Sequence, residues 1–422
     1  MRPDVDNVLF YLPNIRRLVR NIYLDLEQGR SVAIIAPQKA QIETLWNLVL
    51  DNRDFVPGVY LDIVEIEIVD SELTPGCFLS KALNLDLPPI EGDNFTYEIM
   101  KSDGTPGVIA LRGLEQFTSS RVDDWCAFLA KWTVISGILS SERYRPPPAL
   151  FAPLVALPQQ IPEEDAWLRI HRWWSVLSDL DVRVLCRTIE GLGYPELPHE
   201  TAWREAVLPA LAGNDLDLIR HLWDVVKRPK NEIFDSLRDL SEAQGWTQQN
   251  LTKLGLRDFL QQYATRVRSF FQEPTAKEAE LWVRGLIYQT PENGIQVSAL
   301  ALAALDEWDL LEHLLWRGQA ALLLPILDEL RLSICKELTD RYGPDWPLQW
   351  ARPLSIDAEK AVRNNPYATE WGHLKEAVIR CPHPSERRRF ELVTQAWVLR
   401  NQLAHYRSIE YEDFQTLMRL MG

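Results

Sequence analysis

The sequence predicts a multidomain protein: an N-terminal α/β domain built on a layered, mostly parallel sheet, then an all-α helical region and a C-terminal helical bundle. Three observations predict it. The chain has 422 residues, more than one ordinary core of about 100–200 residues holds. Hydrophobic residues make up 46% and charged residues 25%, proportions that let a chain bury a sizeable interior. Short apolar runs alternate with amphipathic stretches over the first 160 residues, and beyond Asp165 almost every stretch has helical spacing.

An amphipathic stretch from Asn14 to Leu26 reads as a helix ending at Gly29. Ser31 to Pro37 (SVAIIAP) follows as a short buried strand, then a helix from Ala40 to Leu50. Tyr60 to Asp70 (YLDIVEIEIVD) alternates strongly and predicts a second strand, and Gly107 to Gly113 (GVIALRG) a third. A helix across Asp123 to Leu139 precedes Ala149 to Leu157, the fourth strand. Proline clusters around it place a boundary near residue 160. A softer boundary falls in the turn-rich YQTPENGIQ, between Gln289 and Gln296. The expected domains are therefore residues 1–160 (α/β), 161–290 (helical middle) and 291–422 (helical bundle). In the last, DRYGPDWPLQWARPLS predicts a non-helical loop whose Trp346 and Trp350 are candidate partner-binding anchors. Helices are then expected at Ile356–Arg363, Tyr367–Arg380, Pro384–Tyr406 and Tyr411–Met421.

Composition excludes several classes. The first thirty residues lack a basic segment followed by an apolar run, and no window of about 18 residues is free of charge, so neither a secretory signal nor a membrane-spanning helix is expected. The expected location is cytoplasmic, with no membrane partner. Five cysteines (Cys77, Cys126, Cys186, Cys335, Cys381) have no close spacing and read as buried thiols, with no metal site. A net charge of −15 argues against a protein that coats nucleic acid nonspecifically, but leaves room for a short basic channel. No Ser-His-Asp arrangement, His-Glu-x-x-His site or glycine-rich dinucleotide loop can be read, and no cofactor is expected.

The N-terminal order of strand, loop, helix and later apolar strand resembles a P-loop nucleotide-binding fold of the AAA or STAND type. The loop Pro37-Gln38-Lys39-Ala40-Gln41 lacks the glycines and the Lys-Ser or Lys-Thr pair that hold phosphate. After the third strand Arg112 and Gly113 stand where an acid would hold magnesium, and the first acid is Glu115. The resemblance thus implies a degenerate domain that senses or scaffolds without hydrolysing ATP.

A second resemblance lies in ELVTQAWVLRNQLAHYRSIEYEDF, where Arg400 is followed after four residues by His405, with Asn401, Ala404 and Tyr406 beside them. This resembles the Arg-x4-6-His element of HEPN ribonucleases and toxins, small helical domains that usually cut RNA without a metal. Histidine is the side chain that exchanges protons near neutral pH, and an arginine fork stabilises charge on a reacting phosphate. The resemblance implies catalysis by Arg400, Asn401 and His405. Asn401 shares a helical edge with His405 and can orient it, whereas Arg400 points about 140° away. A homodimer, or a heteromer with a second such helix, would bring the motifs together. Arg387, Arg388, Arg389 and Tyr406 are candidate RNA contacts, and Leu392, Ala396, Leu399 and Leu403 form the core-facing stripe. His221 and His313 lack an acid or cysteine at ligand spacing and read as core or surface residues. Together the resemblances imply a bacterial defence or toxin-type endoribonuclease, with RNA and the protein partners of a defence complex as its contacts. The alternative is a non-catalytic scaffold or adaptor subunit of an antiphage complex.

Overall fold

The structure, a computed structural model, describes residues 6–9, 12–36, 39–51, 61–69, 73–87, 95–114, 119–141, 146–173, 176–191, 197–263, 275–290, 294–351 and 354–422. The chain forms two compact units, each drawn from several stretches. The first comprises residues 1–189, 213–220 and 249–298, the second 190–212, 221–248 and 299–422.

The first unit is the α/β domain that the alternation of strands and helices predicts. Among the described residues it holds a five-stranded sheet in the order β2-β3-β4-β1-β5, with β1 Ser31–Ile35, β2 Ile63–Glu67, β3 Val108–Arg112, β4 Ala149–Leu154 and β5 Leu168–Arg172. Every pairing is parallel. The inner strands β1 and β4 are buried along their whole length, which is why they read as unbroken apolar runs. The edge strand β2 exposes Glu65 and Glu67 and buries Ile66, so its alternation is that of a strand with one wet side. Pro153 lies inside β4 without breaking the ladder. The amide of Ala149 points toward β3, where it donates to Gly107, and Pro153, four residues on, faces the same way. Pairing with β3 has already ended at Phe151, so no partner misses the proline's absent N–H.

Helix α1 (Pro13–Glu27) buries Ile15, Val19, Ile22, Tyr23 and Leu26, one stripe at helical spacing. Tyr23 donates its hydroxyl to the Val49 carbonyl of α2 (Lys39–Asp51), 2.7 Å away. Beyond Gln28 the chain turns at Gly29, φ 73°, and the amides of Gly29 and Arg30 close the helix onto the carbonyls of Leu26 and Asp25. That is the Schellman pattern, which favours glycine because a Cβ is strained there.

The sheet runs past residue 160. Strand β5 lies in the region expected to be helical: LRIHR alternates over only five residues, too short a run to stand out among helical stretches, and its order comes from the ladder with β1. The softer boundary between Gln289 and Gln296 falls within an antiparallel pair, β6 (Ile287–Thr290) with β7 (Gly294–Val297); residues 291–293 of the predicted turn lie outside the described residues. The outer residues of the second expected strand, Tyr60 and Asp70, lie outside them too.

The second unit is helical. Its spine is α4 (Trp308–Tyr342), 35 residues or about 52 Å long. Helix α3 (Pro198–Ala212) lies against it so closely that a Cβ on Gly318 would meet the Ala206 carbonyl oxygen at 2.4 Å. The loop expected around Trp346 and Trp350 is instead a short helix, Trp346–Trp350, which tolerates Pro347 in its first turn because that amide needs no helical partner. Trp346 is wholly buried and donates its indole N–H to Thr339 at 3.0 Å, so it is a core residue and no anchor for a partner. The chain finishes with α5 (Trp371–Arg380), α6 (Phe390–Ala404) and α7 (Tyr411–Met421). The buried stripe of α6 is Val393, Ala396, Leu399 and Leu403, so Val393 replaces the expected Leu392, which is only half-buried. Among the described residues no helix is long and apolar enough to cross a membrane.

Candidate functional site

The last turn of α6 carries the arginine and histidine singled out by the sequence. Burial of Leu399 and Leu403 turns one side of the helix inward and leaves Arg400 on the exposed side. His405 is the C-cap, also exposed, and Tyr406 follows at φ 57°. The amides of Tyr406 and Arg407 return to the carbonyls of Leu403 and Gln402 at 3.2 and 3.0 Å. A tyrosine therefore occupies the left-handed position of a Schellman motif, at a backbone cost of about 1 kcal/mol relative to glycine.

Helix α4 holds this helix end in place. Glu312, Trp316 and Gln319 are spaced i, i+4, i+7 and so share one face. Trp316 donates its indole N–H to the Leu403 carbonyl at 2.7 Å. Gln319, wholly buried, donates to the Ile409 carbonyl at 2.9 Å and accepts from the Ile409 amide at 2.8 Å. Glu312 accepts from the Ser408 hydroxyl at 2.9 Å and from Lys230 at 3.0 Å. Desolvation pulls the Glu312 carboxyl upward, but the bonds from Lys230 and Ser408 outweigh it and hold the group below its ordinary range. Three rings gather at the same point. Tyr406 lies 4.8 Å from Trp316 between centroids, His313 5.1 Å from Trp316, and the two outer rings 6.5 Å from each other, so the three form a triangle.

The structure separates some of the expected partners. Asn401 accepts from the Arg400 guanidinium at 3.3 Å, and its backbone carbonyl accepts from the His405 amide, so its side chain is bonded to the arginine and not to the imidazole it was expected to orient. Arg400 opens onto a cleft of about 360 Å³ with Leu327, Asp328, Arg331, Glu370 and Trp371; His405 does not line it. Arg331 is held there by Asp328 and by the carbonyls of Tyr367 and Thr369. Among the described residues no carboxylate lies within ion-pair distance of Arg400. In the basic run, Arg387 and Arg388 are exposed, whereas Arg389 is drawn into pairs with Glu337 and the buried Glu386. Arg389 therefore does not present a charge for phosphate in the way the run predicts.

In the first unit Pro37, Gln38 and Glu115 lie outside the described residues, and Lys39 begins α2. Arg112 stands at the end of β3, ion-paired with Glu43 of α2, its guanidinium 5.9 Å from the Trp46 ring centroid. A cation therefore stands where the nucleotide-binding resemblance expects an acid. Among the described residues no group of three or more His, Cys, Asp or Glu side chains is placed to hold a metal ion. No protein-family model matches the chain, and no curated protein matches it.

Sequence reasoning missed Glu312, Trp316 and Gln319 as supports of the motif. The signal was present: EHLLWRGQ puts an acid, an indole and an amide at i, i+4 and i+7 of an otherwise apolar helix, a pattern that asks what those polar groups meet. Burial raises the thiols of Cys126 and Cys335 to about 11, which leaves them protonated and unsuited to nucleophilic work.

Proposed function

We propose that the second unit is a metal-independent endoribonuclease of the HEPN type, acting as a pair of chains, with the first unit as a regulatory domain that does not hydrolyse ATP. The observation that carries this reading is the helix end at 405–409: an exposed His405, with Arg400 one turn before it, on a segment that three side chains of α4 hold in place. Rigid display of an exposed histidine is what a proton-transfer site needs.

His405 takes the proton of a ribose 2′-OH as that oxygen attacks phosphorus. The bond to the 5′-oxygen breaks, leaving a 2′,3′-cyclic phosphate, and the protonated imidazole of the second copy supplies the proton to the departing oxygen. Arg400 neutralises charge on the non-bridging oxygens. Arg400 and His405 diverge on one helix, so the reading requires two copies, or a partner with an equivalent helix.

The scaffold reading has one observation in its favour, the cleft that Arg400 shares with Glu370 and Trp371 away from His405. Incubating the purified chain with unstructured RNA in excess chelator separates the two. The ribonuclease reading expects cleavage that falls about 10²–10⁴-fold in His405→Ala and Arg400→Ala, with unfolding curves within about 0.5 kcal/mol of the parent. Equal activity in both folded variants removes the reading and leaves the scaffold.

A further inference from the structure

Beside His405 the rings of Tyr406, Trp316 and His313 form a three-way cluster that cleavage chemistry does not use. Tyr406 is 67% exposed, His313 is exposed and Trp316 is half-buried, so the cluster has an open rim. Trp316 is fixed by its bond to the Leu403 carbonyl and backs the two exposed rings, whose open faces are the ones left for contact. The His313 and Trp316 planes are inclined by only 26°, with Tyr406 tilted 52° to the indole. Tyr406 occupies a backbone position where glycine or asparagine would be unstrained, and what tyrosine adds there is a displayed ring.

We propose that Tyr406, Trp316 and His313 form a stacking platform for the bases of single-stranded RNA next to His405, an inference that rests on the ribonuclease reading. Exposed aromatic side chains flanked by cations are how proteins hold unpaired bases. Two cations, Arg317 and Arg407, adjoin the cluster in sequence, and the acid Glu312 is engaged by Lys230 and Ser408. A protein segment is the poorer fit, because the residues next to the rings in sequence are polar (Arg317, Arg407, Ser408). A platform that reads ring faces tolerates any base and favours the larger purines.

The test measures binding of the full chain to two fluorescent ten-nucleotide probes: a 2′-O-methyl oligoadenylate, which has no 2′-OH to attack, and an abasic strand with the same phosphates. Tyr406→Asn keeps a residue that accepts the left-handed backbone, and His313→Ala changes an exposed side chain, so both leave the bond from Trp316 to the Leu403 carbonyl in place. Each variant is expected to bind the oligoadenylate about fivefold or more weakly and the abasic strand as the parent does. Unchanged oligoadenylate binding overturns the proposal, as does an equal loss with both probes, which would mean charge without stacking. A parent that does not bind the oligoadenylate, or variants that lose only self-association in sedimentation, also overturn it. The probe cannot be cleaved, so the two readings separate. Ring-dependent binding by a chain that never cuts RNA supports the platform and removes the ribonuclease, and cutting with ring-independent binding does the reverse.

Discussion

Helices α1 and α6 end with the same hydrogen-bond pattern and with different residues. At the end of α1 the left-handed position is Gly29, and a Cβ there would stand 2.8 Å from Pro146 and 2.9 Å from Pro147, so any other residue would force its neighbours to shift. At the end of α6 the same position is Tyr406, two-thirds exposed, where a side chain has room. The first helix end is solved locally by the residue that costs least. The second carries local strain and is secured from outside by Glu312, Trp316 and Gln319. Strain kept in place by surrounding structure is where a side chain is retained for what it does.

The contrast can be broken most sharply at Gln319. Gln319→Ala removes both partners of the buried Ile409 amide and carbonyl, and the expected loss is about 2–4 kcal/mol, read by denaturant unfolding, together with a fall in RNA cleavage. A variant as stable as the parent would show that α6 needs no support from α4.

Next in size is Gly29→Ala, expected to cost about 1–3 kcal/mol, because it combines left-handed strain with contact against two proline rings. RNA cleavage per folded molecule should not change, since the contacts broken belong to the first unit. An active-site effect would undo the distinction between a structural and a functional helix end.

The pH response sharpens the comparison further. The Glu312 carboxyl is held below its ordinary value of 4.5, so the folded state binds its proton less readily than the unfolded chain. Its contribution is complete above the ordinary value and is lost as the pH falls through the lowered folded value. Glu312→Gln should therefore be less stable than the parent at neutral pH by about 1 kcal/mol, and the gap should close in acid. Thermal unfolding of both chains between neutral pH and the acid limit checks this; a gap that widens on acidification contradicts the assignment.

The smallest change is expected from Tyr406→Gly. Relief of backbone strain and loss of the Trp316 contact nearly offset each other, so unfolding should stay within about 0.5 kcal/mol of the parent while oligoadenylate binding falls. If the glycine variant is instead unfolded, the ring is structural and the two helix ends are alike.

Much of this was readable along the chain because it is local. Buried strands show as unbroken apolar runs, and β1, β3 and β4 were found on that signal. Helices show as stripes, and the helix ending at Gly29 was placed because glycine is the local answer to a left-handed turn. The juxtaposition of Arg400, Asn401, His405 and Tyr406 on one helix end was likewise a matter of spacing.

What only the tertiary structure decided are the pairings between residues far apart in sequence. Strand β5 is ordered by its ladder with β1, and Trp346 was drawn from an expected loop into the core. Arg389 was taken by Glu337 and Glu386, while Arg400 faces a cleft without a carboxylate at ion-pair distance among the described residues. Arginines of one segment look alike in a sequence. Which of them keeps its charge for a ligand depends on which carboxylate the fold brings within about 4 Å, and that distance is set by helix packing and not by the order of residues.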